Sequence, residues 1–437
     1  MNTFFVLCTM ILLVTDMSKR TTFNTATETS NGQIKNPEFL NSARKKPQYF
    51  TRESKMPFVL LIAFMLDSIK STIQLCLDSF FENIGRPDVH MAQQSFSDAR
   101  DKIYWKAFRS LFRTIVDHVY DYYYDTWHGF RVLAIDGTKI QLPSAKKLKD
   151  HFGIMGKSAA TAQASMLYDV LNNIIVDALL LPIKVGERKL AMAHLNVLCG
   201  LKSFAKELVI FDRGYHSFEM FEFCKERGIS FLMRAKSDFN NTVFLLPRGD
   251  HHNVRIVQKG HDDMYVRVIK FLLPSGQEET LITNITDRRM KQKAFKELYF
   301  KRWPIETKYA EIKDKLEVEN FSGRTINAIM QDFFISMYVS NMAAIACWDA
   351  QKIVDAERAD KDNKHDYRVN VNHAIGTFKK RFILALLTDD PIVREKQIER
   401  IFKLLTKAVT PKRPNRSVLR NPSPRHARFH HNRKSNH

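Results

Sequence analysis

The run RVLAIDGTKIQLP (131–143) is where the chain changes period. Upstream of it, apolar residues recur at helical spacing; here they gather in short aliphatic runs around Asp136-Gly137-Thr138. RVLAID (131–136) and KIQLP (139–143) read as two strands around an Asp-Gly-Thr turn. ASMLYDV (164–170) and IIVDALLLPI (174–183) follow as two more, joined by Leu171-Asn172-Asn173. A helix is expected at 187–198. ELVIFD (207–212) is a short apolar strand ending in Asp, and a helix is expected at about 217–227.

That order of adjacent strands, helix, strand and helix is α/β and reads as the front half of a ribonuclease-H-like domain, assigned to 129–228. Residues 229–286 break the alternation with ISFLMRA, TVFLLP, VRIVQ, YVRVIKFLLP and ETLITNI, separated by turn signals, and read as a β-rich insertion. Helical periodicity resumes near 287, so the second part of the core is placed at 287–350 and a helical C-terminal segment at 351–410. Before the core, 51–128 is a helical domain in which Tyr104, Trp105, Lys106, Phe108, Arg109, Phe112 and Arg113 interleave aromatic and basic side chains. That pattern fits a module binding DNA ends as well as it fits a helix bundle with a solvated basic face. Residues 1–50 are expected to be a flexible arm, with a possible start-site extension ahead of Met17. Residues 411–437, with eight Lys/Arg, no Asp or Glu and four prolines, are expected to be a disordered basic tail.

The 437 residues suffice for two or three domains with a sizeable core. Lys+Arg number 68 against 47 Asp+Glu, a net charge of +21, which points to a polyanionic partner because basic side chains on phosphates release condensed counterions. Five cysteines without CxxC spacing argue against a disulfide framework or a zinc ribbon and fit a reducing cytoplasm. The apolar run at 4–14 is too short to span a bilayer, and it lacks a preceding basic residue and a small-residue cleavage pattern. The apolar stretch 333–348 contains Ser336, Ser340 and Asn341 and reads as a buried core helix, so no membrane partner is expected.

Asp136 and Asp212 each close an apolar strand beside a Gly-containing turn, where α/β sheets place reactive groups. A third acid lies in ELYFKRWPIETKYAEIKDKLEVENFSG (297–323), where Tyr299, Arg302, Glu306 and Lys313 would share one helical face within an arc of about 60°. Pro304 suits a first helical turn, so the helix with Glu306 is also expected to start near Trp303, leaving Tyr299 and Arg302 on a preceding segment. Three clustered acids repel unless cations intervene, and hard oxygen ligands suit Mg²⁺ or Mn²⁺. Either Asp alone could be a turn or cap residue, and Asp169, Asp177, Glu187, Glu311 and Asp314 compete for the role.

Tyr299-x2-Arg302-x3-Glu306-x6-Lys313 resembles, with its full spacing, the Y-R-E-K signature of bacterial insertion-sequence DDE transposases of the IS-four type. LAIDGTKIQLP around Asp136 resembles that family's first-Asp block, and FDRGYHS around Asp212 its second. The resemblance implies a ribonuclease-H-like DDE transposase in which Asp136, Asp212 and Glu306 ligate two Mg²⁺ or Mn²⁺ ions. Tyr299, Arg302, Lys313 and Arg213 would contact DNA. It implies hydrolysis at element ends followed by attack of the freed 3′-hydroxyl on target DNA, with terminal inverted repeats and target DNA as partners and a homodimer in the synaptic complex. A base-stacking aromatic would be Phe239, Phe244 or Tyr265, since the insertion holds no tryptophan. A metal-dependent nuclease of the same fold and an inactive DNA-binding copy are the alternatives.

Overall fold

The computed structural model describes residues 21–67, 70–122, 124–156, 159–200, 205–236, 239–273, 275–359 and 365–412. The chain divides into two compact units, one of residues 1–122 with 315–437 and one of residues 123–314. The apolar run at 4–14, Met17 and all of the basic tail beyond Lys412 lie outside the described residues.

The first unit begins with six helices: α1 (Thr22–Lys35), α2 (Pro37–Ala43), α3 (Phe58–Leu66), α4 (Ile73–Asn83), α5 (Gln93–Asp101) and α6 (Lys106–Tyr122). Residues 22–43 are therefore helical and partly buried, where the composition predicted an arm. The Thr- and Asn-rich sequence supplies caps: Thr21 accepts from the Asn24 amide and Asn36 from the Glu38 amide, with Pro37 opening α2. The buried hydroxyls of Thr27 and Ser30 bond to the carbonyls of Phe23 (2.7 Å) and Ala26 (3.0 Å), so neither hydroxyl is orphaned inside α1. In α6, Phe108 and Phe112 are buried while Arg113 pairs with Asp117 at 3.0 Å, so its aromatic positions serve the core.

The second unit is built on one sheet. Its elements are β1 (Phe130–Gln141), α7 (Lys146–Phe152), β2 (Ile154–Met155), β3 (Ala159–Asp169), β4 (Ile174–Pro182), α8 (Glu187–Cys199), β5 (Lys206–Phe211), α9 (Phe218–Glu226), β6 (Ser230–Ala235), α10 (Asn241–Leu245), β7 (Gly249–Ile256), β8 (Met264–Leu272), β9 (Glu278–Thr283), α11 (Gln292–Phe300) and α12 (Pro304–Asp314). The strand order is β3-β1-β5-β6-β9-β8-β7, with β2 and β4 both pairing β3. β1, β3 and β4 form an antiparallel meander, and β5 and β6 join β1 in parallel. β1 corrects the turn expected at Asp136-Gly137-Thr138: it runs unbroken from Phe130 to Gln141, and from Leu133 to Gln141 it pairs β3. Asp-Gly favours a turn locally, but a complete ladder on β3 outweighs that preference.

The expected insertion is continuous with the core sheet. β9 pairs β6 and β8 pairs β9, so these strands extend the sheet sideways. TVFLLP instead gives the short helix α10, which Asn240 caps. β7 carries a bulge: His251 pairs Val268 and Val254 pairs Val266, leaving one extra residue on β7, with Asn253 at φ 54°. Buried Arg267 on β8 donates to both Asp250 carboxylate oxygens (2.7 and 2.5 Å) and to the Met290 carbonyl (2.8 Å), fixing the approach to α11. α11 then packs Phe295, Leu298 and Tyr299 into a cluster with Phe130, Val132, Leu208, Ile210 and Leu281 of the sheet.

The chain returns to the first unit with α13 (Ile326–Arg358), β10 (Tyr367–Val369), α14 (Val371–Leu387), α15 (Pro391–Lys407) and β11 (Val409–Pro411). α13 is buried along most of its length and packs on α1, α6, α14 and α15. Among the described residues, no helix is long and apolar enough to cross a membrane. Phe23 of α1 meets Phe378, Phe382 and Phe402, each within 6.1 Å, and its amide donates to Asp349 at 2.7 Å. Arg100, only 5% exposed, bonds Gln331 (3.0 Å), Ser322 (2.6 Å) and Asp332 (2.9 Å). The helical segments before and after the sheet thus form one unit, where the sequence order suggested separate ones. Distant halves of a chain leave no local sign that they share a core.

Candidate active site

Parallel pairing sets the first two acids side by side. Ala134 of β1 lies opposite Ile210 of β5, so Asp136 is level with Asp212, the first residue beyond β5. Asp136 stands inside β1. Strand alternation points it to the face of Phe130 and Val132, which α11 covers.

The third acid arrives on that face through a break between two helices. α11 ends at Phe300, and α12 starts at Pro304. Pro304 has no amide to donate and a fixed φ, so it opens α12, and Glu306 falls in the first turn. The geometry follows the expectation drawn from Pro304 rather than a single four-residue face.

Tyr299 and Arg302, both under 10% exposed, reach the acids from just before this helix. The Tyr299 hydroxyl donates to Asp212 Oδ1 at 3.3 Å. Arg302 Nη2 donates to Glu306 Oε1 at 3.1 Å and lies 3.9 Å from Asp212 Oδ2. Burial works against the Arg302 charge, but Asp212, Tyr299, Asp136 and Glu306 together hold its pKa above the ordinary value.

Asp136 is held differently. Its Oδ1 accepts from the Gly137 amide at 2.9 Å, and its carbonyl accepts from the Tyr309 hydroxyl at 2.6 Å and the Ser165 hydroxyl at 3.2 Å. Burial pushes its carboxyl up to about 6; the Gly137 amide and Arg302 pull down, and Asp212 and Glu306 push up. These opposing influences place all three carboxylates and Arg302 in one electrostatic neighbourhood.

Lys313 is buried, and its ammonium donates to Thr138 Oγ1 and to the Lys139 carbonyl, each at 2.7 Å. It ties the end of α12 to β1. Arg213 is exposed in the turn after Asp212. The competing acids have other partners: Asp169 accepts from the Leu171 and Asn172 amides, Asp177 faces His194, and Glu311 pairs with Lys308 at 2.9 Å. Glu187, at the start of α8, does approach the site. A Cβ on Gly137 would lie 3.4 Å from Glu187 Oε1, and one on Gly214 would lie 3.8 Å from Oε2.

Two residues that sequence reading passed over belong to this neighbourhood. Tyr309 follows Glu306 by three residues, so helical spacing was its signal. Tyr215, 2% exposed, has no hydrogen-bond partner for its hydroxyl, and burial together with Asp136, Glu187 and Asp212 holds its pKa well above the ordinary value. Of the candidate stacking aromatics, Phe239 packs on His216 (4.9 Å) and Phe218 (5.8 Å), while Phe244 and Tyr265 are exposed. Exposed Phe300 and Trp303 line a cavity of about 130 Å³ with Arg234, Glu279, Tyr299 and Arg302.

The donor set is three carboxylates and an unpartnered buried phenol, hard oxygen groups that suit a divalent cation in kind. Among the described residues, no three acidic, His or Cys side chains stand in metal-holding geometry. In this arrangement Arg302 supplies the counter-charge instead.

Residues 127–342, just under half of the chain, match the family model described as "Transposase DDE domain". The match spans Asp136, Asp212 and Glu306 and supports reading this stretch as the domain of a DDE transposase. No curated protein matches the chain. Among solved structures, the chain is similar to one in the "Cryo-EM structure of piggyBac transposase synaptic complex with hairpin DNA". That match has 10% identity and a TM-score of 0.45, covering 89% of this chain and 86% of that one, a likeness too low to carry the fold or the function.

Proposed function

We propose that the protein is a DNA transposase of the insertion-sequence, IS-four type that moves its element by cutting and pasting. The observation that carries this is the convergence of Asp136, Asp212 and Glu306 around Arg302, from three separate parts of the matched domain. The strand order β4-β3-β1-β5-β6, an antiparallel meander joined by two parallel strands, supports a ribonuclease-H-like reading of the core.

Asp136, Asp212 and Glu306 would hold divalent cations, two Mg²⁺ or Mn²⁺ ions in this reading. Such ions activate the attacking oxygen and stabilise the leaving one in an in-line phosphoryl displacement. The chain's own groups do the rest. Tyr299 and Arg302 orient Asp212 and Glu306, and Arg302, once released from those acids, is placed to take a phosphate oxygen of the DNA. Arg213 is exposed beside the second acid and suits a backbone phosphate. Lys313 contributes from behind, holding α12 against β1. Phe300 and Trp303 offer exposed ring faces beside Arg302 for an unstacked base.

In this reading the partners are double-stranded DNA carrying terminal inverted repeats and target DNA, engaged by a homodimer. The net charge of +21 suits that polyanion. The place of action is the cytoplasm.

The experiment is Mg²⁺-dependent cleavage of a plasmid bearing the element ends, with the full-length protein and with Asp212→Ala. Cleavage by the first and none by the second is expected; equal cleavage by both sinks the assignment. A strand-transfer assay with pre-cut ends separates a transposase from a nuclease with the same three acids.

A further inference from the structure

Behind Asp136, on the face of the sheet away from α11, three buried side chains form a line. Asp177 of β4, His194 of α8 and Ser165 of β3 are 3%, 0% and 1% exposed. His194 Nδ1 lies 2.8 Å from Asp177 Oδ2, and Nε2 lies 3.0 Å from Ser165 Oγ. Ser165 Oγ lies 3.2 Å from the Asp136 carbonyl, to which it donates. Asp, His and Ser in this order look like a hydrolytic triad. Yet the hydroxyl is buried against a backbone carbonyl, with no room for a substrate.

Counting protons gives the line a direction. A serine hydroxyl has one proton and a carbonyl has none. If Ser165 donates to Asp136, it has nothing left to give His194, so Nε2 must be the donor between them. The contact of Nδ1 with Asp177 then holds a further proton, whichever partner carries it. The tautomer with a bare Nε2 breaks the line, because Ser165 would turn its proton to the ring and leave the Asp136 carbonyl to Tyr309 alone.

We propose that His194 and Asp177 are positioning residues: by presenting Nε2–H to Ser165 they commit its hydroxyl to the Asp136 carbonyl and hold the first acid in place for the cation. The carbonyl is then gripped from two sides, by Ser165 from β3 and by Tyr309 from the helix that carries Glu306. The mechanical part concerns the free protein; the importance for catalysis rests on the function proposed above.

The test starts on the metal-free, full-length protein. Nitrogen-15 NMR of the histidine rings is expected to show a protonated Nε2 for His194, identified by the loss of its signals in His194→Gln. The Gly137 amide, which shares its peptide group with the Asp136 carbonyl, is expected to shift in Ser165→Ala and to return toward wild type in Ser165→Thr. A bare Nε2, or a Gly137 amide unmoved by Ser165→Ala, overturns the proposal. The second arm is plasmid-end cleavage at varied Mg²⁺. Ser165→Ala, assayed at a temperature where melts show it fully folded and it still binds DNA ends, is expected to need about 10- to 100-fold more Mg²⁺. Ser165→Thr is expected to recover most of that loss. An unchanged Mg²⁺ requirement in Ser165→Ala overturns the catalytic part. A wild-type protein that does not cleave at all overturns the function above, and the NMR arm still decides the proton.

Discussion

Asp136 on the one side, and Asp212 with Glu306 on the other, are held in place by opposite means. Asp136 sits inside a paired strand, and its peptide carbonyl is gripped by two hydroxyls. Asp212 and Glu306 lie at the ends of their elements with side chains 38% and 30% exposed, and the groups that hold them are Tyr299 and Arg302. The first acid is placed by the scaffold. The other two are placed by a cation, Arg302, which under the proposed function would have to yield to a divalent ion. The difference teaches that such a site can be ordered before metal binds, with Arg302 keeping the carboxylates from repelling each other.

The strongest test of that contrast removes the acids one at a time. Asp136→Asn, Asp212→Ala and Glu306→Gln are each expected to lower Mg²⁺-dependent cleavage by at least about 10³-fold, measured in single turnover. If Asp136→Asn retains near-normal activity, the scaffold-held acid is not part of the chemistry and the comparison falls.

A smaller loss is expected from Arg302. Arg302→Ala should reduce cleavage about 10- to 100-fold by freeing Asp212 and Glu306. Arg302→Lys should recover little of it, because a flexible ammonium lacks the rigid planar group that holds one nitrogen, Nη2, against Glu306 and near Asp212. Tyr309→Phe acts on the other side. It leaves the Asp136 carbonyl with one donor, and a fall in stability of about 1–3 kcal/mol is expected from denaturant melts. Cleavage that falls further in Tyr309→Phe than in Arg302→Ala would reverse the ranking of the two supports.

The finest distinction is in pH. Burial raises the Asp136 carboxyl to about 6 in the metal-free fold, whereas an unfolded Asp titrates near its ordinary value of 3.8. Between those values the folded state binds the extra proton, so Asp136 disfavours folding progressively as pH rises from 4 to 6, by at most about 1.4 kcal/mol per unit. Asp136→Asn is therefore expected to melt above wild type at pH 8 in EDTA and close to it at pH 4. The same melting difference at both pH values would show that the charge is not confined.

Much of this was legible in the sequence, because the relevant signals are local. Strand patterns at 164–170, 174–183 and 207–212 and the helix at 187–198 needed only periodicity, and they match β3, β4, β5 and α8. Pro304 announced the break that aims Glu306. What could not be read were preferences overruled by distant partners. Asp136-Gly137 favours a turn until β3 offers a full ladder. Thr27 and Ser30 look like arm residues until their hydroxyls bond their own helix. Lys313 looks like a phosphate ligand until Thr138 and the Lys139 carbonyl come within 2.7 Å. The support of Asp136 by Ser165 and His194 had no linear signal, since its members lie on three elements.

The bulge on β7 has a consequence for how the molecule behaves in solution. β7 is the outermost strand of its sheet, and an outer strand offers unpaired amides and carbonyls to any similar chain nearby. The extra residue between His251 and Val254, with Asn253 turned to φ 54°, spoils the even spacing that a docking strand would need. Arg255 on the same strand sets a charge there, paired to Asp263. The irregularity acts as a stop, and a sheet long enough to keep growing from molecule to molecule ends at its own last strand.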